Sequence, residues 1–138
     1  MASVTVVESL AGLTDFLLHF VAAVVIMALF TAIYVRVTPY AEFALIKEGK
    51  TAPAVSLSGA LLGFVIPLAS AIISSVSLLD MVLWAGVALM VQILVYLLLK
   101  TFMSDLPADI TADRIAPALL LATLSLATGI LSAACMVF

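Results

Sequence analysis

The stretch Val21-Ala22-Ala23-Val24-Val25-Ile26-Met27-Ala28-Leu29-Phe30 decides the fold class. Its ten apolar residues follow one another without alternation. A strand of an outer-membrane barrel alternates apolar with polar, so the run reads as helix. It lies within 20 uncharged residues between Asp15 and Arg36, counting His19 as neutral. A helix needs about 20 mostly apolar residues to cross about 30 Å of hydrocarbon. Three more such runs follow: 29 residues between Lys50 and Asp80, 19 between Asp80 and Lys100, and 24 after Arg114. Each suffices for one crossing and none for two. The expected fold is an all-α polytopic membrane protein with four transmembrane helices, near 16–36, 53–75, 80–100 and 115–137, in a single integral membrane domain spanning 1–138.

The composition agrees. Of 138 residues, 67% are apolar and 9% charged, with a mean hydropathy of +1.42. A soluble domain is about 45–50% apolar and about 25% charged. So little charge cannot coat a soluble sphere, which excludes a secreted disulfide scaffold, a disordered tail and a soluble enzyme. Five basic residues and a pI near 4.7 repel phosphate backbones, so no nucleic-acid partner is expected. Residues 1–15 carry Glu8 and Asp15 but no Lys or Arg. A signal peptide needs a basic start, so the N-terminus is expected to be retained.

Topology rests on the five basic residues. Arg36, Lys47 and Lys50 flank the first connection, and Lys100 and Arg114 flank the third. The positive-inside rule counts Lys and Arg and places both connections in the cytoplasm, with both termini periplasmic.

An internal repeat is also legible. A shift of 64 positions lays Arg36 on Lys100, Lys50 on Arg114 and Ala52-Pro53-Ala54 on Ala116-Pro117-Ala118. Residues 46–72 and 110–136 share eight identities, where composition alone gives about three. This predicts two helical hairpins in parallel orientation, in halves of about 14–76 and 78–138, related by an axis along the membrane normal. Convergent composition is the plainer alternative.

The two connections carry structure of their own. Thr38 reads as an N-cap, Pro39 as the first helical residue and Gly49 as the stop of a short interfacial helix. On it Tyr40, Phe43, Ala44 and Ile46 face lipid or protein, while Glu42, Lys47 and Glu48 stay wet. In the other connection Asp105, Asp109 and Asp113 stand at i, i+4 and i+8. On a helix that stripe would attract a divalent cation. Solvated caps are the plainer reading, and no metal or other cofactor is expected.

Within the spans, small and polar residues stand out. Gly59, Gly63, Pro67, Ala71 and Ser75 recur every four residues in the second, and Ser125, Gly129 and Ala133 in the fourth. Such seams let helix backbones approach, within the bundle or between subunits. Pro67 should kink its helix. Gln92, near the middle of the third span, and Tyr96 one turn on should face the bundle. Gln92 either bonds to hydroxyls of the second span such as Ser70, as interhelical glue, or lines a polar path. Asp15 and His19, at i and i+4, pair a carboxylate with an imidazole and are weak candidates for proton or ion binding. A helix-capping Asp followed by an interfacial His is the plainer reading. Cys135 is a lone thiol without an activating neighbour in the sequence.

Several stretches read together: Thr38-Pro39, Glu42, Leu45-Ile46-Lys47, Thr51-Ala52, Ser58-Gly59, Leu61-Leu62-Gly63, Val65-Ile66-Pro67-Leu68, Asp80, Trp84, Gln92 and Ala133-Ala134-Cys135-Met136. From about Tyr34 onward the chain resembles the YjfL-like family of small bacterial inner-membrane proteins. Asp15 and His19 lie outside that pattern. The resemblance implies four spans, two repeated halves and no established activity. It also implies an envelope role beside membrane-stress proteins, since family genes tend to neighbour phage-shock-like proteins and an ATP-grasp ligase. The leading functional expectation is a non-catalytic inner-membrane protein, a homo-oligomeric scaffold or partner in envelope maintenance or stress response. The alternative is a small channel or transporter with a polar path near Gln92 and the second span.

Overall fold

The computed structural model describes residues 2–136, with side chains from residue 5. Helix α1 runs Ala2–Val37, α2 Glu42–Lys47, α3 Thr51–Ser74, α4 Leu78–Phe102, α5 Leu106–Thr111 and α6 Ile115–Cys135. Four of them, α1, α3, α4 and α6, are long and apolar enough to cross a membrane. Residues 137 and 138, which the expected fourth span and second half include, lie outside the described residues.

The first span is longer than expected. Helix α1 begins at Ala2 rather than near residue 16, and its 36 residues reach about 54 Å. Glu8 and Asp15 do not end it, because no proline interrupts the backbone ladder and both side chains point outward. Among the described residues of α1, Phe30 and Tyr34 are the buried ones. Phe30 stacks on Phe64 of α3 at a ring separation of 4.2 Å.

The core lies elsewhere. Helices α3 and α6 pack along most of their length, with α4 against both. Small residues allow this. Ala52, Ala60 and Ala71 of α3, Ala85 and Ala88 of α4, and Ala118 of α6 are buried at the contacts. Ser77 caps α4 by accepting from the Asp80 amide at 3.2 Å, and Asp80 accepts from the Val76 amide at 3.3 Å. This near-reciprocal box closes the short turn between α3 and α4.

The connections depart from the sequence reading in three ways. Helix α2 starts at Glu42 with Ala41 as N-cap, so Thr38 and Pro39 do not open it. The Thr38 amide instead extends α1 by bonding to the Tyr34 carbonyl at 3.1 Å. Glu42 is buried, not wet, while Phe43 and Ala44 are exposed. The aspartate stripe does not form: α5 ends at Thr111, and Asp113 lies beyond it in the left-handed region at φ 63°. Gly49, which follows α2, has φ 88°. Both short helices therefore end on a reversal that sends the chain into the next long helix.

Candidate functional site

Two buried regions of the bundle carry polar chemistry. The first is the seam of α3 and α6. A Cβ at Gly59 would run into the Ala122 backbone, one at Gly63 into the Ser125 carbonyl, and one at Gly129 into the Gly63 carbonyl. All three glycines face a helix of the same chain. Pro67, buried one turn after Gly63, has no amide hydrogen to give the Gly63 carbonyl. Gln92 supplies the missing donor. Its Nε2 donates to the Gly63 carbonyl at 3.0 Å and to the Ser125 carbonyl at 3.1 Å. One amide from α4 thus ties both helices of the seam at its closest point. Its partners are backbone carbonyls rather than the serine hydroxyls the sequence suggested. Ser70 adds a bond from its hydroxyl to the Ala133 carbonyl at 3.0 Å. Pro67 leaves α3 continuous from Thr51 to Ser74.

The second region lies under α2. Glu42 is 1% exposed, and all three tyrosines of the chain surround it. Tyr34 from α1, Tyr40 before α2 and Tyr96 from α4 are buried and close enough to feel its charge. Tyr34 and Tyr96 meet edge to face with ring centres 6.2 Å apart. Thr38 hydrogen-bonds Glu42 Oε1 through its hydroxyl. Glu42 Oε2 and the three phenol oxygens are buried without a hydrogen-bond partner. Burial pushes the Glu42 carboxyl up to about 7, against a smaller lowering from Thr38. The Tyr40 phenol is also raised, first by burial, then by Glu42 and the other two tyrosines, with Ser56 acting in the opposite sense.

The burial of Glu42, expected on the wet face, is not legible in the sequence because a six-residue helix gives too little periodicity to orient one side chain. The signal was the tyrosine count: three phenols, each near one end of a span or in the first connection.

The profile of the family described as Domain of Unknown Function (DUF350) matches residues 8–136. The chain belongs to the DUF350 family. Two curated relatives of this DUF350 protein are "UPF0719 inner membrane protein YjfL" of Escherichia coli K12 and of Escherichia coli O157:H7. Each is 40% identical over 127 residues, covering 92% of this chain and 96% of the relative. The YjfL-like resemblance is therefore sound, and the protein is an inner-membrane protein with four apolar helices. No solved structure matches it.

The family match spans residues 8–136, a range that includes the positions of Asp15 and His19. In the DUF350 protein Asp15 lies within α1, not at its cap. His19 Nδ1 bonds to the Asp15 backbone carbonyl at 2.8 Å rather than to its carboxylate. Asp15 is exposed and His19 half-buried, so no buried charge pair forms. Asp109 pairs with Arg114 at 3.7 Å on the surface. Asp113 Oδ1 accepts from the Ala52 amide at 2.8 Å, capping α3 across the bundle. Cys135 is exposed and unbridged.

Proposed function

We propose that this DUF350 protein is a non-catalytic, oligomeric scaffold of the inner membrane, acting with partners in envelope maintenance or stress response. The observation that carries the reading is the position of Gln92. The most polar side chain at the middle of a span is 1% exposed and spends its amide on two backbone carbonyls. A path for solutes needs polar groups turned toward a lumen, whereas this one locks a helix contact. Helix α1 supports the oligomeric part, since it lies against the bundle by two buried aromatic residues and leaves most of its length for lipid or another copy.

Within the same proposal the chain is two repeated hairpins in parallel orientation, with both termini periplasmic and the basic connections cytoplasmic. A shift of 64 carries the bounds of α2 onto those of α5, and Gly49 onto Asp113, the two left-handed residues. Coincident bounds and coincident backbone reversals support duplication beyond shared composition.

Reconstituted liposomes test the function. Flux of small ions and polar solutes should equal that of empty liposomes, and native mass spectrometry from nanodiscs should show more than one protomer. A flux present in the native protein and lost in a folded Gln92→Leu variant would establish the channel instead. A strictly monomeric protein would remove the oligomeric scaffold. Alkaline phosphatase fused after Phe138 should be active, and an inactive fusion would reverse the topology.

A further inference from the structure

We propose that Glu42 and the three tyrosines around it form a proton-binding site, and that the bound proton holds α2 against the bundle. The argument starts from charge. An ionised carboxylate taken out of water needs a cation or several donors. Glu42 is 1% exposed, and among the described residues Thr38 is its one side-chain hydrogen-bond partner. The charged groups at the same end of the elements around it are Arg36 on α1, Lys47 on α2, Glu48 at its C-cap, Lys50 before α3 and Lys100 on α4. Asp105 and Asp109 belong to α5 and its cap. None of these is bonded to Glu42. Lys50 gives its Nζ to the Thr111 carbonyl at 3.0 Å, and Asp109 is paired with Arg114. With no cation at hand, the proton neutralises the buried carboxylate.

The hydroxyl inventory points the same way. Thr38 Oγ1 lies within reach of both the Val35 carbonyl, at 3.3 Å, and Glu42 Oε1. A threonine hydroxyl has one proton to donate. If it goes to the Val35 carbonyl, Oγ1 is free to accept from a protonated Glu42. The carboxylic acid then satisfies a carbonyl, a hydroxyl and itself in one chain. Oε2, as carbonyl oxygen, carries no charge and lies buried without a hydrogen-bond partner. Loss of the proton removes a donor and leaves a buried charge to which, among the described residues, the Thr38 hydroxyl is hydrogen-bonded and the three phenols are not. Undocking α2 restores water to it, and α2 is a six-residue helix on which Phe43, Ala44 and Lys47 are already exposed.

The full-length protein in nanodiscs provides the test. Infrared spectra should show a buried carboxylic-acid band at acid pH that fades as pH rises through about 7 and is missing from Glu42→Gln. Hydrogen exchange over residues 38–50, corrected for its intrinsic pH dependence, should rise about tenfold or more between about pH 6 and about pH 8.5. Glu42→Gln, which keeps the neutral shape, should hold exchange at the acid-side level throughout. The proposal is overturned if the native protein lacks the band at acid pH, or if Glu42→Gln follows the native rise. Loss of the band on adding sodium or potassium at fixed pH would assign the site to an alkali cation and equally overturn it.

Discussion

The seam of α3 and α6 and the tyrosine cluster under α2 are both buried and both contain backbone-bonded polar groups, yet they are built in opposite ways. The seam brings backbone to backbone through glycines, and its one amide side chain completes a carbonyl stranded by Pro67. No titratable group takes part. The cluster brings large side chains together and leaves four oxygens without partners, where the seam leaves Gln92 Oε1 and Ser125 Oγ; among the described residues it also contains the buried carboxyl. The seam is fixed by shape, so size should break it at any pH. The cluster is poised by charge, so pH should move it with every side chain in place.

The largest expected effect is at the seam. Gly63→Leu drives a side chain into the Ser125 backbone and to 2.8 Å from Gln92 Nε2 at its first carbon alone. Backbone cannot yield as a side-chain tip does, so the loss should be about 3 kcal/mol or more. Thermal unfolding in detergent measures it, and the deficit should be the same at acid and alkaline pH. Gly86→Leu is the control: nothing lies within 4 Å of its Cβ position. Equal loss from both variants would mean that generic helix effects, not the seam, account for it.

The next effect belongs to the cluster. Glu42 has an ordinary value of 4.5 and a folded value of about 7. The folded state therefore holds the extra proton between those limits, and stability falls as pH rises from about 4.5 through about 7, then levels off. Ordinary carboxylates show the reverse slope. The drop attributable to Glu42 should be on the order of a few kcal/mol and should vanish in Glu42→Gln. A Glu42→Gln protein that retains the full pH slope would detach the cluster from it.

This contrast also divides what the sequence disclosed. Spans, seam positions and the inward turn of Gln92 follow from periodicity and from the cost of polar groups in lipid, which act over many residues. The Gly63–Pro67 spacing even carries the reason for Gln92, since a proline strands the carbonyl four residues before it. What escaped depends on contacts between distant segments. The burial of Glu42 needs Tyr34 and Tyr96 from two different spans. The exit of Asp113 from its helix goes with a tertiary partner, the Ala52 amide.

A smaller effect tests that last contact. Asp113 combines a left-handed backbone with a carboxylate on the α3 N-terminus. Asp113→Ala loses the cap and keeps the strain, for a cost of about 2 kcal/mol. Asp113→Asn retains both an acceptor oxygen and tolerance of positive φ, so its cost should be a few tenths of a kcal/mol. Indistinguishable variants would show that the Ala52 bond contributes little. Because the cap lies outside the seam, neither variant should alter the Gly63→Leu deficit.

The smallest effect probes the seam most finely. Gln92→Leu removes the donor to the Gly63 carbonyl, and interhelical bonds of this kind are worth about 0.6–2 kcal/mol. Part of that loss comes from stranding an acceptor that Pro67 had already deprived of its helical partner. Pro67→Ala returns an amide hydrogen four residues after Gly63, so the helix can satisfy its own carbonyl. In a Pro67→Ala background, Gln92→Leu should therefore cost less than it does alone, with a coupling of about 1 kcal/mol in a double-mutant cycle. The Ser125 carbonyl keeps its own helical donor, so it contributes no such coupling. Additive losses would mean that Gln92 stabilises the bundle by packing alone. A coupled result would identify proline and glutamine, 25 residues apart in sequence, as two halves of one hydrogen-bond arrangement.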